Sequence, residues 1–162
     1  DWTEGWSGVN SQWYAKVINK GNRGIEADNY EFGFANTPIA QPQINGLSLI
    51  GPGANAAVAE FEENDAIKLR RGTFGNFTNV FLSNWADGID IEHDETIAAI
   101  GTGLLVHNVQ FGTDIGTLYK GKATNGTSVD VQAAIIQTAN STGAGNQENA
   151  PSWAQGWSTG WQ

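Results

Sequence analysis

Apolar and charged positions alternate in three short strings that share one frame: Gly24-Ile25-Glu26-Ala27-Asp28, Ala66-Ile67-Lys68-Leu69-Arg70 and Gly88-Ile89-Asp90-Ile91-Glu92. Each reads small, apolar, charged, apolar, charged. A period of two buries one face of a β-strand and wets the other. The same face turned inward three times predicts a coiled β architecture whose rungs stack on one another. Further strands are predicted over 12–18, 44–50, 78–82, 104–111, 117–120 and 129–137, set apart by Gly, Asn, Asp and Pro clusters such as Gly51-Pro52-Gly53. Helical spacing is poor throughout, and the short Ala-rich stretch 54–61 is the best candidate for a helical turn.

A second recurrence supports the rungs. Asn45, Asn79 and Asn108 each stand just before an apolar strand. They are read as an amide ladder at a coil corner, with ordinary turn asparagines as the alternative. Matching strands lie 42 residues apart (Gly24 to Ala66) and then 22 apart (Ala66 to Gly88). Unequal spacing excludes a strict repeat code but suits a coil whose loops, 29–43 and 52–65, bulge outward. The tail from 140 to 150 is rich in Gly, Asn, Gln and Ser and reads as a wandering loop. The chain therefore divides into β-helix coils at 1–139 and a Gly/Asn-rich loop with a Trp-rich segment at 140–162.

Composition narrows the chemistry. With no Cys among 162 residues there is no disulfide, thiolate metal site or cysteine nucleophile. A net charge of −9 argues against nucleic acid and anionic lipid, both of which need a basic face. No run approaches the ~18 apolar residues of a membrane span. Seven Trp serve core packing or a ring platform for sugars. Trp13, Tyr14, Trp85 and Tyr119 are the candidates for glycan contact. Trp2 and Trp6 at the start, and Trp153, Trp157 and Trp161 at the end, recur between Gly and Ser, which fits an apolar cap over a coil end or a contact surface for another chain. The chain begins Asp1-Trp2-Thr3-Glu4 without an initiator Met, as expected of a processed or excised piece.

The ordered strings DWTEGWSG, RGIEADN and LRRGT resemble a family of bacterial secreted or surface-anchored proteins, and the resemblance extends over residues 1–115. It implies a right-handed parallel β-helix and carries over no catalytic residues. Ala66 stands where the family's second motif has Gly. Family members continue upstream with further coils, and this chain does not. Aligning Asp1 with Glu26, Lys68 and Asp90 sets Trp2 beside Ala27, Leu69 and Ile91, so the chain is expected to open inside a rung. A bare rung end invites pairing. A second copy stacked head-to-tail, or a cleaved upstream β-helix piece, is then the expected partner, with Asp1, Trp2, Trp6, Trp153, Trp157 and Trp161 at the interface.

Ionisable residues are densest at Asp87-Gly88-Ile89-Asp90-Ile91-Glu92-His93-Asp94-Glu95. Asp90 and Glu92 share a strand face, and their oxygens would suit calcium, although the spacing is not that of an EF-hand. The alternative is a solvated acidic face, neutralised by Lys68, Arg70 and Arg71, in which Glu26, Lys68 and Asp90 stack as a charge ladder. A hydrolase could use two carboxylates, Asp90 with Glu92 or with Glu26, and a calcium-assisted lyase could use Arg70 or Arg71 as its base. Alternation on stacked strands produces the same pairs without catalysis. His93 and His107 form no triad or metal motif. Asn76, Asn125 and Asn140 open N-glycosylation sequons.

The sequence thus predicts an all-β, right-handed parallel β-helix with irregular loops and Trp/Gly-rich ends. The expected role is that of a non-enzymatic, secreted or cell-surface structural protein, a self-associating subunit of a fibre or matrix. A glycan-binding adhesin is the first alternative and a polysaccharide lyase or hydrolase the second. No cofactor is expected apart from the calcium considered at Asp90 and Glu92.

Overall fold

The computed structural model describes residues 11–16, 23–53 and 64–156. Among these lie nine strands: β1 (Ser11–Lys16), β2 (Arg23–Asp28), β3 (Gln43–Ile50), β4 (Asp65–Arg70), β5 (Gly75–Ser83), β6 (Asp87–Glu92), β7 (Leu104–Phe111), β8 (Thr117–Lys122) and β9 (Ile135–Gln137). Every strand pairing is parallel, and odd and even strands separate into two sheets, β1-β3-β5-β7-β9 and β2-β4-β6-β8. Each turn of the chain adds one strand to each sheet. The result is a β-solenoid of four turns with β9 starting a fifth, as the all-β expectation required.

The three-string frame sets the register. Ile25, Ile67 and Ile89 align with one another, as do Ala27, Leu69 and Ile91. All six are buried, and they form the inner face of the four-stranded sheet. Across the interior, Ile44, Phe77, Val106 and Ile135 make one column of the other sheet, and Leu47, Val80 and Val109 make the next. Between these columns the odd strands bend. Gly46, Asn79 and Asn108 occupy equivalent places there with φ of 97°, 53° and 53°. Glycine and asparagine are the residues that tolerate left-handed backbone most easily. The amide ladder is therefore shifted from the expected one: Asn45 precedes the bend, and Asn79 Nδ2 donates to its Oδ1 at 2.7 Å.

Two segments depart from the sequence reading. Residues 140–150 do not wander; they form a strap across the outer face of the five-stranded sheet. Gln110 Oε1 accepts the Ser141 amide at 2.9 Å, Ser48 Oγ accepts that of Ala144 at 3.0 Å, and the Tyr14 hydroxyl donates to the Glu148 carbonyl at 2.7 Å. Tyr14, Ser48, Phe81 and Gln110 make up one outward column, so the strap runs back along it toward the first turn. The predicted strand 129–137 contributes only β9, preceded by a 3₁₀ turn at Gln132–Ala134. Its first part folds over the end of β8 instead. The Val129 amide bonds the Gly121 carbonyl at 3.0 Å, and buried Val131 occupies the space that a side chain on Gly121 would need. The short helix α1 (Asp94–Ala98) is an addition, and the candidate helical turn at 54–61 lies outside the described residues.

Candidate functional site

The charged positions of the frame all point outward from β2-β4-β6-β8, where they form a lattice of alternating sign. Glu26, Lys68, Asp90 and Lys120 align in one column. In the next, Asp28 aligns with Arg70 and Glu92 with Lys122. Six of the chain's eight Lys and Arg residues (Arg23, Lys68, Arg70, Arg71, Lys120 and Lys122) lie on this face or at its edge.

Contacts within the lattice are close. Lys68 Nζ lies 3.1 Å from Asp90 and 3.3 Å from Glu92, and Lys122 Nζ lies 2.7 Å from Glu92. Lys120 reaches Asp87 at 2.6 Å and Asp65 at 2.9 Å. Arg70 binds Asp28 at 2.7 Å and also Glu26, while Arg71 holds Asp28 at 2.6 Å and Glu31 at 3.4 Å. Outward strand faces are ordinarily wet, yet Asp65, Lys68, Asp90 and Glu92 are all buried. Taking such charges out of water costs several kcal/mol each (about that order) unless partners offset it.

Titration directions follow from that contest. Burial pushes the Asp65 carboxyl above its ordinary value, more than the bond from Lys120 can reverse. Burial also works to raise the Glu92 carboxyl, but Lys122 and Lys68 outweigh it and hold it below the usual glutamate value. Burial tends to lower the Lys120 ammonium, and Asp87 and Asp65 overcome this and raise it. For Glu92 a depressed folded value means that its contribution to stability is complete above the ordinary glutamate range. That contribution is lost as pH falls through the lowered value. Glu92→Gln is expected to flatten this part of the acid limb, as measured by urea unfolding across a pH series.

The candidate residues of the sequence fare differently. Asp90 and Glu92 do share a face, but the Lys68 ammonium stands within salt-bridge reach of both carboxylates, where a bound cation would otherwise sit. Among the described residues no three His, Asp or Glu side chains gather as metal ligands. Arg70 is a poor base: burial lowers its pKa, but Asp28 and Glu26 more than reverse this and hold it above the ordinary arginine value. A small cleft of about 230 Å³ opens beside Asp90, Glu92, Lys120, Lys122 and Ser128.

Burial removes one of the four glycan candidates, and the other three are partly exposed. Trp85 has no exposed surface, because its ring fills the junction between β5 and β6. Tyr119 continues the inward column of Ile25, Ile67 and Ile89, and Trp13 continues that of Leu47 and Val80, so both pack against the core. Tyr14 is tied to the strap. Of the proposed interface residues, Asp1, Trp2, Trp6, Trp157 and Trp161 lie outside the described residues. Trp153 is partly exposed, and its Nε1 donates to the Ala144 carbonyl at 2.8 Å. His93 accepts the Arg71 amide at Nδ1 (3.2 Å) and meets the Phe34 ring edge-on. A family model described as a pectate-lyase-like beta helix domain matches residues 1–158. No curated protein and no solved structure matches the chain.

Proposed function

We propose that this chain, which belongs to the family of pectate-lyase-like β-helix domains, is a non-enzymatic structural module of a secreted or cell-surface protein. The fold itself is shared by structural, adhesive and polysaccharide-active proteins. One observation carries the choice: the carboxylates and cations that a lyase or hydrolase would need are spent on one another in the outward lattice, with Lys68, Asp90 and Glu92 buried. A catalytic acid, base or metal ligand has to be free to meet substrate. Incubation with neutral and acidic polysaccharides, with and without calcium, is expected to release no new ends. Cleavage that disappears in Asp90→Asn would overturn the reading.

Self-association belongs to the same proposal. Residues 129–131 fold over the end of β8, which leaves the short β9 as the last strand of the five-stranded sheet, with Ile136 52% exposed. An exposed apolar residue on a terminal strand is a site for pairing with another chain. Sedimentation over a range of concentrations is expected to show reversible assembly that Ile136→Lys weakens. A monomer at every concentration would remove this part and leave the non-enzymatic part standing.

A further inference from the structure

We propose that Asn125 is a self-modifying site: its carboxamide condenses with the Gly126 amide and becomes an aspartyl or isoaspartyl residue, which loosens the cover over the end of β8. This lies beyond the structural role and away from the charge lattice.

Asn is followed by Gly twice in the chain, at Asn45-Gly46 and Asn125-Gly126. Glycine has no Cβ to keep the preceding side chain off its amide, so sequence alone makes the two equal. The fold separates them. Asn45 lies in β3, between β1 and β5, and its Oδ1 accepts the Asn79 carboxamide at 2.7 Å. Gly46 is buried under the strap, where a Cβ would lie 3.0 Å from the Gly143 carbonyl oxygen. Neither group can move toward the other without opening the sheet.

Asn125 stands instead at the tip of a tight hairpin. The Ala123 amide bonds the Thr127 carbonyl at 2.8 Å, and Gly126 has φ 88°. Residues 124–128 are all exposed, and a Cβ on Gly126 would meet no described residue within 4 Å. The Thr127 amide already donates to Asn125 Oδ1 at 2.9 Å. Such a donor draws the carboxamide back over the following peptide and stabilises the oxyanion that attack at Cγ creates. The Gly126 amide donates to the Ala123 carbonyl at 2.9 Å, and an exposed turn bond of this kind opens at little cost.

The chemistry needs only water. Hydroxide takes the Gly126 N–H proton, and the nitrogen attacks Asn125 Cγ to form a new C–N bond. The old C–N bond of the carboxamide breaks, and its nitrogen takes a proton from water and leaves as ammonia. Water then opens the cyclic imide at either carbonyl, giving aspartate or, with the main chain rerouted through the side-chain carboxyl, isoaspartate. Both products add a negative charge, and isoaspartate also lengthens the main chain by a methylene. A lengthened turn cannot keep the Ala123–Thr127 pairing. That hairpin returns the Val129 amide to the Gly121 carbonyl and sets Val131 over Gly121, so its loss frees the cover.

The test incubates the whole chain at mildly alkaline pH, folded and in urea. The chain is produced without glycosylation, because Asn125 also opens a sequon. Peptide mapping with isoaspartyl methyltransferase labelling reads each site. Asn125 is expected to convert at least about tenfold faster than Asn45 in the folded chain, and at a similar rate in urea. Asn125→Gln should abolish the new acidic species on ion exchange. The isoaspartyl fraction should exchange its Val129 amide hydrogen faster than fresh chain. Equal rates at the two sites in the folded chain, conversion of Asn125 only in urea, or unchanged exchange at Val129 would overturn the proposal.

Discussion

Trp85→Ala is expected to lower the free energy of unfolding by about 3–5 kcal/mol, read as a lower denaturant midpoint at unchanged slope. The indole has no solvent exposure, and its Nε1 donates to the Leu49 carbonyl at 3.1 Å. Its ring passes so close to Gly51 and Gly24 that a Cβ at either would lie 2.6 or 3.2 Å from it. Those glycines belong to earlier turns, so one side chain ties together three turns where the two sheets meet. Truncation leaves a cavity at that junction and removes the donor from a buried carbonyl. The loss is a large share of the ~5–15 kcal/mol that holds a domain of ordinary size together. Trp85→Phe keeps most of the ring volume and is expected to cost clearly less. Were Trp85 a sugar platform, alanine would change binding and leave the midpoint in place.

Much of this core was legible in the sequence, and the places where it was not have physical causes. The frame of small, apolar, charged, apolar, charged gave both the inward columns and the outward ladder, because alternation fixes the face of every residue once the register is set. A fourth copy, Leu118-Tyr119-Lys120-Gly121-Lys122, was present but disguised. Tyr119 and Gly121 hold the apolar places and Leu118 the small one, and only the two lysines keep the pattern. Reading that copy would have turned Tyr119 inward. Trp85 gave no periodic signal, since it stands in a turn between strands.

The strap and the lattice burial lay beyond sequence patterning for another reason. Ser48 meets Ala144, and Tyr14 meets Glu148, across 96 and 134 residues. A Gly- and Ser-rich composition signals slack only when nothing lies beneath it. Here Gly143, at φ 57°, comes so near Ser48 that any side chain would collide with its hydroxyl, so glycine marks close approach. At the corner, the recurring Asn pointed to a bend, but in the second turn the left-handed place belongs to Gly46, one residue after Asn45.

Lys68→Met is expected to cost about 3–5 kcal/mol near neutral pH. Lys68 stands between Asp90 and Glu92, and each of the three side chains is less than a tenth exposed. Methionine fills similar volume but leaves two buried carboxylates facing each other. Glu92 keeps Lys122 at 2.7 Å, whereas Asp90 has Lys120 only at 4.0 Å. Because protonated carboxyls no longer require the ammonium, the deficit against wild type should shrink as the solution is acidified. The informative companion replaces Lys68 with Met and both Asp90 and Glu92 with Leu. Removing one partner of a buried ion pair is costly, but removing all of them together is often neutral or stabilising. If the triple variant regains wild-type stability in urea, the lattice fixes the register of the turns and adds little to their net strength. If it stays as weak as Lys68→Met, the lysine stem must contribute through packing, and the alternating charges are then not what holds this face of the sheet closed.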